Sequence, residues 1–384
     1  MGILFNETEF PSEESLRIYK YYEYTWFCIT FIIVIYTLSV MSNKASAGIS
    51  TYKWYLIHGM LWGCLFDVCS TLIGAVTLFP LPCYYGVNLA SNFSGNAQLV
   101  YFFIAVGSSV AKGLALLYQF EYRYYQALPI HSWYRKNFEF LHGSYAFHCR
   151  VLYTLVALGT VLIPKALDLP DQEEHKAYLA SIDPYMGVLF KQHPTATCFG
   201  SGLYNFEFTF LFWATSSTIL CFVFAILSYL NIREQKFTAA TYRLQVMLFR
   251  SLIAQMVAFF CLYMIPGTFY LLSGIMKIEN MPIYNVAGFY LYVTHTSVDS
   301  LMVLFFIKPY RRLVASNLQQ IMRSVCIIRT NLNSSLPSVF RTLSSILCCY
   351  NNTAMLPRKR GNCIPYTFFT ILVQGTNCKK WYVE

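Results

Sequence analysis

Charge is what this chain has least of. Only 12% of its 384 residues are Asp, Glu, Lys or Arg, about half the share usual in soluble domains. So little charge excludes an ordinary soluble fold, and the 56% of hydrophobic residues suit burial in lipid. Catalytic signatures are missing as well. The histidines form no H-E-x-x-H, and there is neither a G-x-S-x-G nor a glycine-rich phosphate loop, so an enzyme is not expected. Cys64 and Cys69 approach zinc-ligand spacing but lie inside an apolar run. His142 and His148 share a basic loop and read as solvated side chains. No metal or other cofactor is expected. No apolar leader precedes the first long apolar run, so that run is expected to act as its own insertion signal. Internal repeats are lacking, and Pro266 is the one clear break within a run; both weigh against a transporter.

Seven apolar runs are present, at 24–41, 54–79, 97–120, 149–164, 205–230, 246–273 and 283–307. Each but the fourth, which is short, is long enough to cross hydrocarbon as a helix. The expected fold is an all-α membrane protein, a seven-transmembrane helix bundle over 24–308. Residues 1–23 form a polar segment before it. An amphipathic helix is expected at 309–329, and a patternless, disordered tail at 330–384. The net charge of +10 reads as membrane topology, not as affinity for nucleic acid. Arg17, Lys20, Lys165, Lys176, Lys191 and Lys277 fall on one side of the seven runs, and Lys112 lies within a run. Every other Lys and Arg falls on the opposite side. The basic side faces the cytoplasm, which puts the N-terminus outside and the tail inside.

That orientation gives meaning to four residues. Asn6 and Asn92 head glycosylation sequons that land outside; Asn333 and Asn351 also match but land inside. Of the 13 cysteines, only Cys83 and Cys198 lie in outside loops, where thiols meet an oxidising compartment. They are expected to form a disulfide, the alternative being two free thiols.

A resemblance accumulates along the chain. Lys53-Trp54-Tyr55-Leu56 opens the second run, Phe79-Pro80 closes it, and Glu121-Tyr122-Arg123-Tyr124-Tyr125 closes the third. Leu244-Gln245 leads into Leu252-Ile253-Ala254-Gln255, then Pro266, and Pro309-Tyr310-Arg311 follows the last run. In order and spacing these resemble the nematode serpentine chemoreceptors of class H (Srh, related to classes Str and Sri) over about 24–329. Here Tyr122 stands where the class usually has Asn. The resemblance implies a chemosensory G-protein-coupled receptor in the plasma membrane, at a sensory cilium. It would bind a small-molecule or peptide ligand from outside and engage a heterotrimeric G protein inside. The alternative is a seven-span transporter or ligand-gated channel subunit. Chemosensory channel subunits with seven spans have the opposite orientation, and the charge bias opposes that.

Three sets of residues are expected to carry function. Glu207, with Tyr204, Phe206, Tyr263, Tyr270 and Tyr290 as aromatic wall, is the candidate ligand site, since an acid at the edge of a span is seldom idle; ordinary bundle packing is the alternative. Glu121 and Arg123 are the candidate coupling residues. Arg123 can pair with Glu121 or, with better helical geometry, Glu234; a plain basic stop to the span is the alternative. Asp67, Lys112 and Asp299 are charges inside runs. In the broader rhodopsin-like pattern, polar residues at these three positions bind a sodium ion. The Lys112 ammonium is expected to replace that ion between the two acids, the alternative being a lysine that snorkels to the cytoplasm.

Overall fold

The structure, a computed structural model, describes residues 10–43, 50–78, 81–93, 95–200, 203–235, 237–276 and 281–333. Ser12 opens the first helix. Its Oγ accepts the Ser15 backbone N–H at 3.2 Å, and Glu13 and Glu14 occupy the positive end of the helix, α1, which runs Glu13–Asn43. Residues 13–23 therefore belong to the bundle, not to a polar segment before it. The expectation stopped at residue 24 because it followed apolarity alone. Tyr19 and Glu23 are fully buried, and Glu23 accepts a hydrogen bond from Asn88 Nδ2.

Helix α2 runs Ser50–Ile73, α3 Gly95–Ala127, α4 Ala146–Leu167 and α5 Leu203–Glu234. Helix α6 covers Ala239–Phe259, widens into a π turn at Phe260–Met264 and continues over Ile265–Met276. Pro266 explains the widening. It has no N–H to donate, and its ring presses on the carbonyl four residues earlier. Helix α7 is made of Met281–Tyr292 and His295–Phe306. At the break the Thr294 hydroxyl donates to the Leu291 carbonyl at 2.7 Å. Among the described residues these seven helices are long and apolar enough to cross a membrane.

Burial sorts the helices. In α2 and α3 56% of the apolar window is buried, against 17% in α4 and 11% in α5. Helix α5 is apolar all round and exposes Phe212, Ile219 and Ile226, as a helix bordering lipid does. After α7, helix α8 runs Lys308–Asn333. Tyr310 is fully buried and packs with Val40, Met41, Leu248 and Ile307. The chain divides after Ala315 into two units. Taken by itself, the second exposes Leu318, Ile321 and Met322 at helical spacing. The expected tail beyond residue 333 lies outside the described residues.

A three-stranded antiparallel sheet, absent from the all-α expectation, follows α2. Strands β1 (Ala75–Thr77), β2 (Cys83–Gly86) and β3 (Thr197–Cys198) lie in that order. Cys83 stands directly opposite Cys198 in the register, and the two are joined as a disulfide. Two short helices, Gln172–Ile182 and Pro184–Gln192, are capped by Asp171 and Asp183. They bury Leu179, Met186 and Leu189 against Val76, Leu78 and Tyr85 of the sheet region. Beside them His193 stacks on Tyr85, ring centroids 4.1 Å apart; burial holds its imidazole below the ordinary histidine pKa. Asn92 is exposed in a turn at Leu89–Asn92, and Asn6 lies outside the described residues.

Gly74 makes the turn from α2 into β1. Its φ is +56°, and a Cβ there would stand 2.5 Å from the Asn88 amide. That same amide donates to the Thr71 carbonyl at 2.8 Å and to Glu23. Gly74→Ala is therefore expected to destabilise the detergent-purified protein by about 1–3 kcal/mol through strain and the displaced amide, read as a fall in Tm. Gly113→Ala, within α3 and with nothing within 4 Å of its missing Cβ, is the control and should leave Tm no lower, since Ala suits a helix interior better than Gly.

Candidate functional site

Beneath the sheet lies a cavity of about 160 Å³. Helix α2 contributes Phe66 and Ser70, α3 Phe102 and Ser109, α6 Tyr263 and Thr268, and α7 Tyr292. Thr77, Cys83 and Tyr84 close it from the sheet, and Lys165 enters from the last turn of α4. The π turn carries Tyr263 into the wall. Its ring meets Phe66 at 5.2 Å, Tyr292 at 4.9 Å and His295 at 4.9 Å.

Of the expected wall residues, Tyr263 lines the cavity. Tyr290 does not. It packs edge-on against Tyr22 of α1 at 4.5 Å, because two positions along a helix turn a side chain about 200°, and Tyr292 takes the inward face. The side chains of Tyr204, Phe206, Glu207 and Tyr270 lie outside the described residues. The sequence reading left Tyr292 and Lys165 out. The apolar run ends at Pro164, which by sequence puts Lys165 in an outside loop; α4 instead continues past it, and Lys165 is 2% exposed.

A layer of buried charge adjoins the cavity. Lys112 and Asp299 are in direct contact as an ion pair between α3 and α7. Asp67 is 1% exposed. Its Oδ1 lies 3.7 Å from Nδ1 of His295, the same nitrogen that stands 2.7 Å from the Tyr292 carbonyl. Lys112 thus contacts one of the two acids, Asp299, and the imidazole of His295 stands beside the other, Asp67. The expected three-membered cluster therefore has a fourth member. The signal was legible: His295 sits one turn before Asp299. So was a second one. Gly59, Gly63 and Asp67 recur every fourth residue along one stripe of α2, a spacing that lets membrane helices approach closely. A Cβ on Gly63 would stand 2.8 Å from the Thr296 hydroxyl. Large side chains there would push α7 off α2.

At the far end of α3, Arg123 is 4% exposed. Its guanidinium lies 3.6 Å above the Tyr52 ring, and Nη1 donates to Gln245 Oε1 of α6 at 3.5 Å. Neither expected acid is its partner. Glu121 points to the opposite face of α3, as two-residue spacing requires. It meets His142 at 2.6 Å, Arg150 at 3.3 Å and the Tyr134 hydroxyl at 3.1 Å. Glu234 is exposed. His142, read as a solvated loop residue, instead has its side chain 4% exposed, and its ring stacks on Tyr125 at 3.6 Å.

Seven spans around a cavity at one end, with a buried arginine at the other, define a multi-pass membrane protein of receptor type. The chain belongs to the Srh family of serpentine-type seven-transmembrane GPCR chemoreceptors, whose family model matches residues 14–320. No curated protein gave a significant match.

The ion pair generates a prediction. Lys112→Met strands the buried Asp299 carboxylate and is expected to cost about 3–5 kcal/mol, seen as loss of folded, monodisperse protein. Lys112→Met combined with Asp299→Leu removes both charges and should restore most of the yield. A double variant as poor as the single one would show that the pair does not act as a unit.

Proposed function

We propose that this chemoreceptor takes a small ligand into the cavity beneath the sheet and activates a heterotrimeric G protein at the Arg123 end. The observation that carries the reading is on α6. One helix bears both Tyr263 in the cavity wall and Gln245 on the Arg123 guanidinium. The π turn between them is where such a helix bends most readily. A ligand pressing on Tyr263 shifts α6, draws Gln245 off Arg123 and frees the guanidinium for the partner protein. The Tyr263–His295 contact adds a route to the charge layer.

The lysine and arginine bias supports placing the sheet, the N-terminus and the sequons at Asn6 and Asn92 outside the plasma membrane, with Arg123 and α8 on the cytoplasmic side. Membership of a chemoreceptor family supports residence at a sensory cilium. In this reading Asp67, Lys112, His295 and Asp299 hold the resting bundle together, and Glu121 fixes the loop after α3 through His142 and Arg150.

Nucleotide exchange on a co-expressed G protein tests it. Gln245→Ala is expected to raise ligand-free exchange severalfold by releasing Arg123 from α6. Arg123→Ala should abolish exchange at unchanged surface expression. Loss of expression alone would make Arg123 a structural stop to α3. A current in membranes lacking any G protein would favour a channel.

A further inference from the structure

A second gap lies on the outside of the bundle, between α6 and α7. It is an open groove of about 830 Å³, within the size range of sites that hold whole ligands. Helix α6 is thin there: Ala254, Ala258 and Cys261 recur along one face at helical spacing. Leu301 and Phe305 of α7 form the other wall and are 47% and 60% exposed. On spanning helices such apolar walls meet lipid, not water.

Positive charge marks the end next to α8. Arg311 is exposed and belongs to the lining. Its Nη1 donates to the Phe305 carbonyl at 3.4 Å, and the guanidinium stands 5.7 Å from the Phe305 ring, so the charge is folded back onto the groove wall. A guanidinium carries five donors in a fork that matches phosphate oxygens, so it can hold that carbonyl and a phosphate together. Arg250, also exposed, stands one turn before Ala254 on the same face of α6. Close by, the Lys308 backbone N–H donates to Met247 Sδ at 3.1 Å and ties α6 to the start of α8.

Length decides between occupants. From Ala254 to Leu262 the groove follows α6 for about 12 Å, close to the depth of one leaflet, about 15 Å. A spanning helix from a second copy needs an apolar face across both leaflets, whereas a phospholipid needs one, with its phosphate at the basic end. Basic pockets between membrane helices suit anionic headgroups. We propose that the groove holds one anionic phospholipid, an acyl chain along Ala258 and Phe305 and the phosphate between Arg250 and Arg311. Such a site requires a membrane but neither a chemosensory ligand nor a G protein, so it stands or falls apart from the receptor reading.

The experiment titrates the full chain in detergent with dioleoyl phosphatidylglycerol or dioleoyl phosphatidylcholine and counts retained lipid by native mass spectrometry. One phosphatidylglycerol should be retained per protein, about twenty-fivefold more tightly than phosphatidylcholine, each arginine supplying about fivefold. Arg311→Gln should cut that preference to about fivefold, and Arg311→Gln with Arg250→Gln should erase it. Arg233→Gln, at an exposed basic residue ending α5, should leave it unchanged. Cys261→Trp, which fills the groove without changing charge, should release the lipid. Should these variants fail to fold, phosphatidylglycerol with a photoreactive diazirine on its acyl chain should label 254–262 and 298–306 of the unaltered protein.

Equal retention of the two lipids, a preference that survives loss of both arginines, or labelling elsewhere in the chain would each overturn the proposal. So would competition by glycerophosphoglycerol as strong as by the whole lipid, which would leave a phosphate site without a lipid. Dimers that Cys261→Trp dissolves would assign the groove to a second copy and overturn it too.

Discussion

A charge inside a bilayer needs a counter-charge beside it, because hydrocarbon offers neither water nor mobile ions. That constraint orders this bundle. Lys112 on α3 and Asp299 on α7 satisfy each other, so these two helices must stay adjacent at that depth. Asp67 on α2 lies beside His295 on α7, and the small residue at Gly63 lets the two helices come close enough. Helices α3 and α7 are thereby bound by electrostatics as well as by packing, and α2 meets α7 at the Asp67–His295 contact. Helices α4 and α5 present mostly apolar side chains outward; on their inner sides Arg150 of α4 meets Glu121 of α3, and Trp213 of α5 donates to the Thr160 hydroxyl of α4 at 2.8 Å. The cavity sits directly against the charged layer, with the Tyr263 and Phe66 rings on His295. Whatever fills the cavity therefore touches groups whose arrangement decides how α2, α3 and α7 meet.

Much of this was legible in the sequence because lipid imposes a simple rule: long apolar runs become helices. The seven spans follow from that rule, and so does the disturbance near Pro266. Where water and protein compete for the backbone, the rule weakens. The sheet was invisible because β3 is only Thr197–Cys198 and β1 only Ala75–Thr77, too short for any alternation to show. Their pairing is set by the disulfide partners and by Gly74, not by strand propensity. The start of α1 was missed for a related reason. Ser12 caps it in water, and the following turns bury Tyr19 and Glu23 against other parts of the chain, a burial that hydropathy does not record.

At the sites, sequence named residue types better than partners. Arg123 was singled out as a charge at the end of a span, and acids were sought for it. The structure supplies an aromatic face and an amide instead. A guanidinium is weakly hydrated and stacks well, so Tyr52 satisfies it without a carboxylate, and no spacing rule links positions 52, 123 and 245. Lys165 shows the converse error. Counted as a loop charge for topology, it lies in the last turn of a helix with its ammonium over Phe199.

The disulfide has a topological consequence. With Cys83 joined to Cys198, 115 residues apart in sequence, the chain between them is a closed ring that contains all of α3 and α4. Within that ring lie Lys112, Glu121, Arg123 and Lys165. A single backbone cut anywhere in it leaves one covalent molecule. A cut between α5 and α6 releases two, with α6, α7 and α8 on the second. The receptor is thus a ring with two open arms, α1 and α2 on one and α5 to α8 on the other, and the second arm carries both Tyr263 and Gln245. The disulfide pins the two ends of the ring together at the sheet and leaves both arms free of that covalent tie.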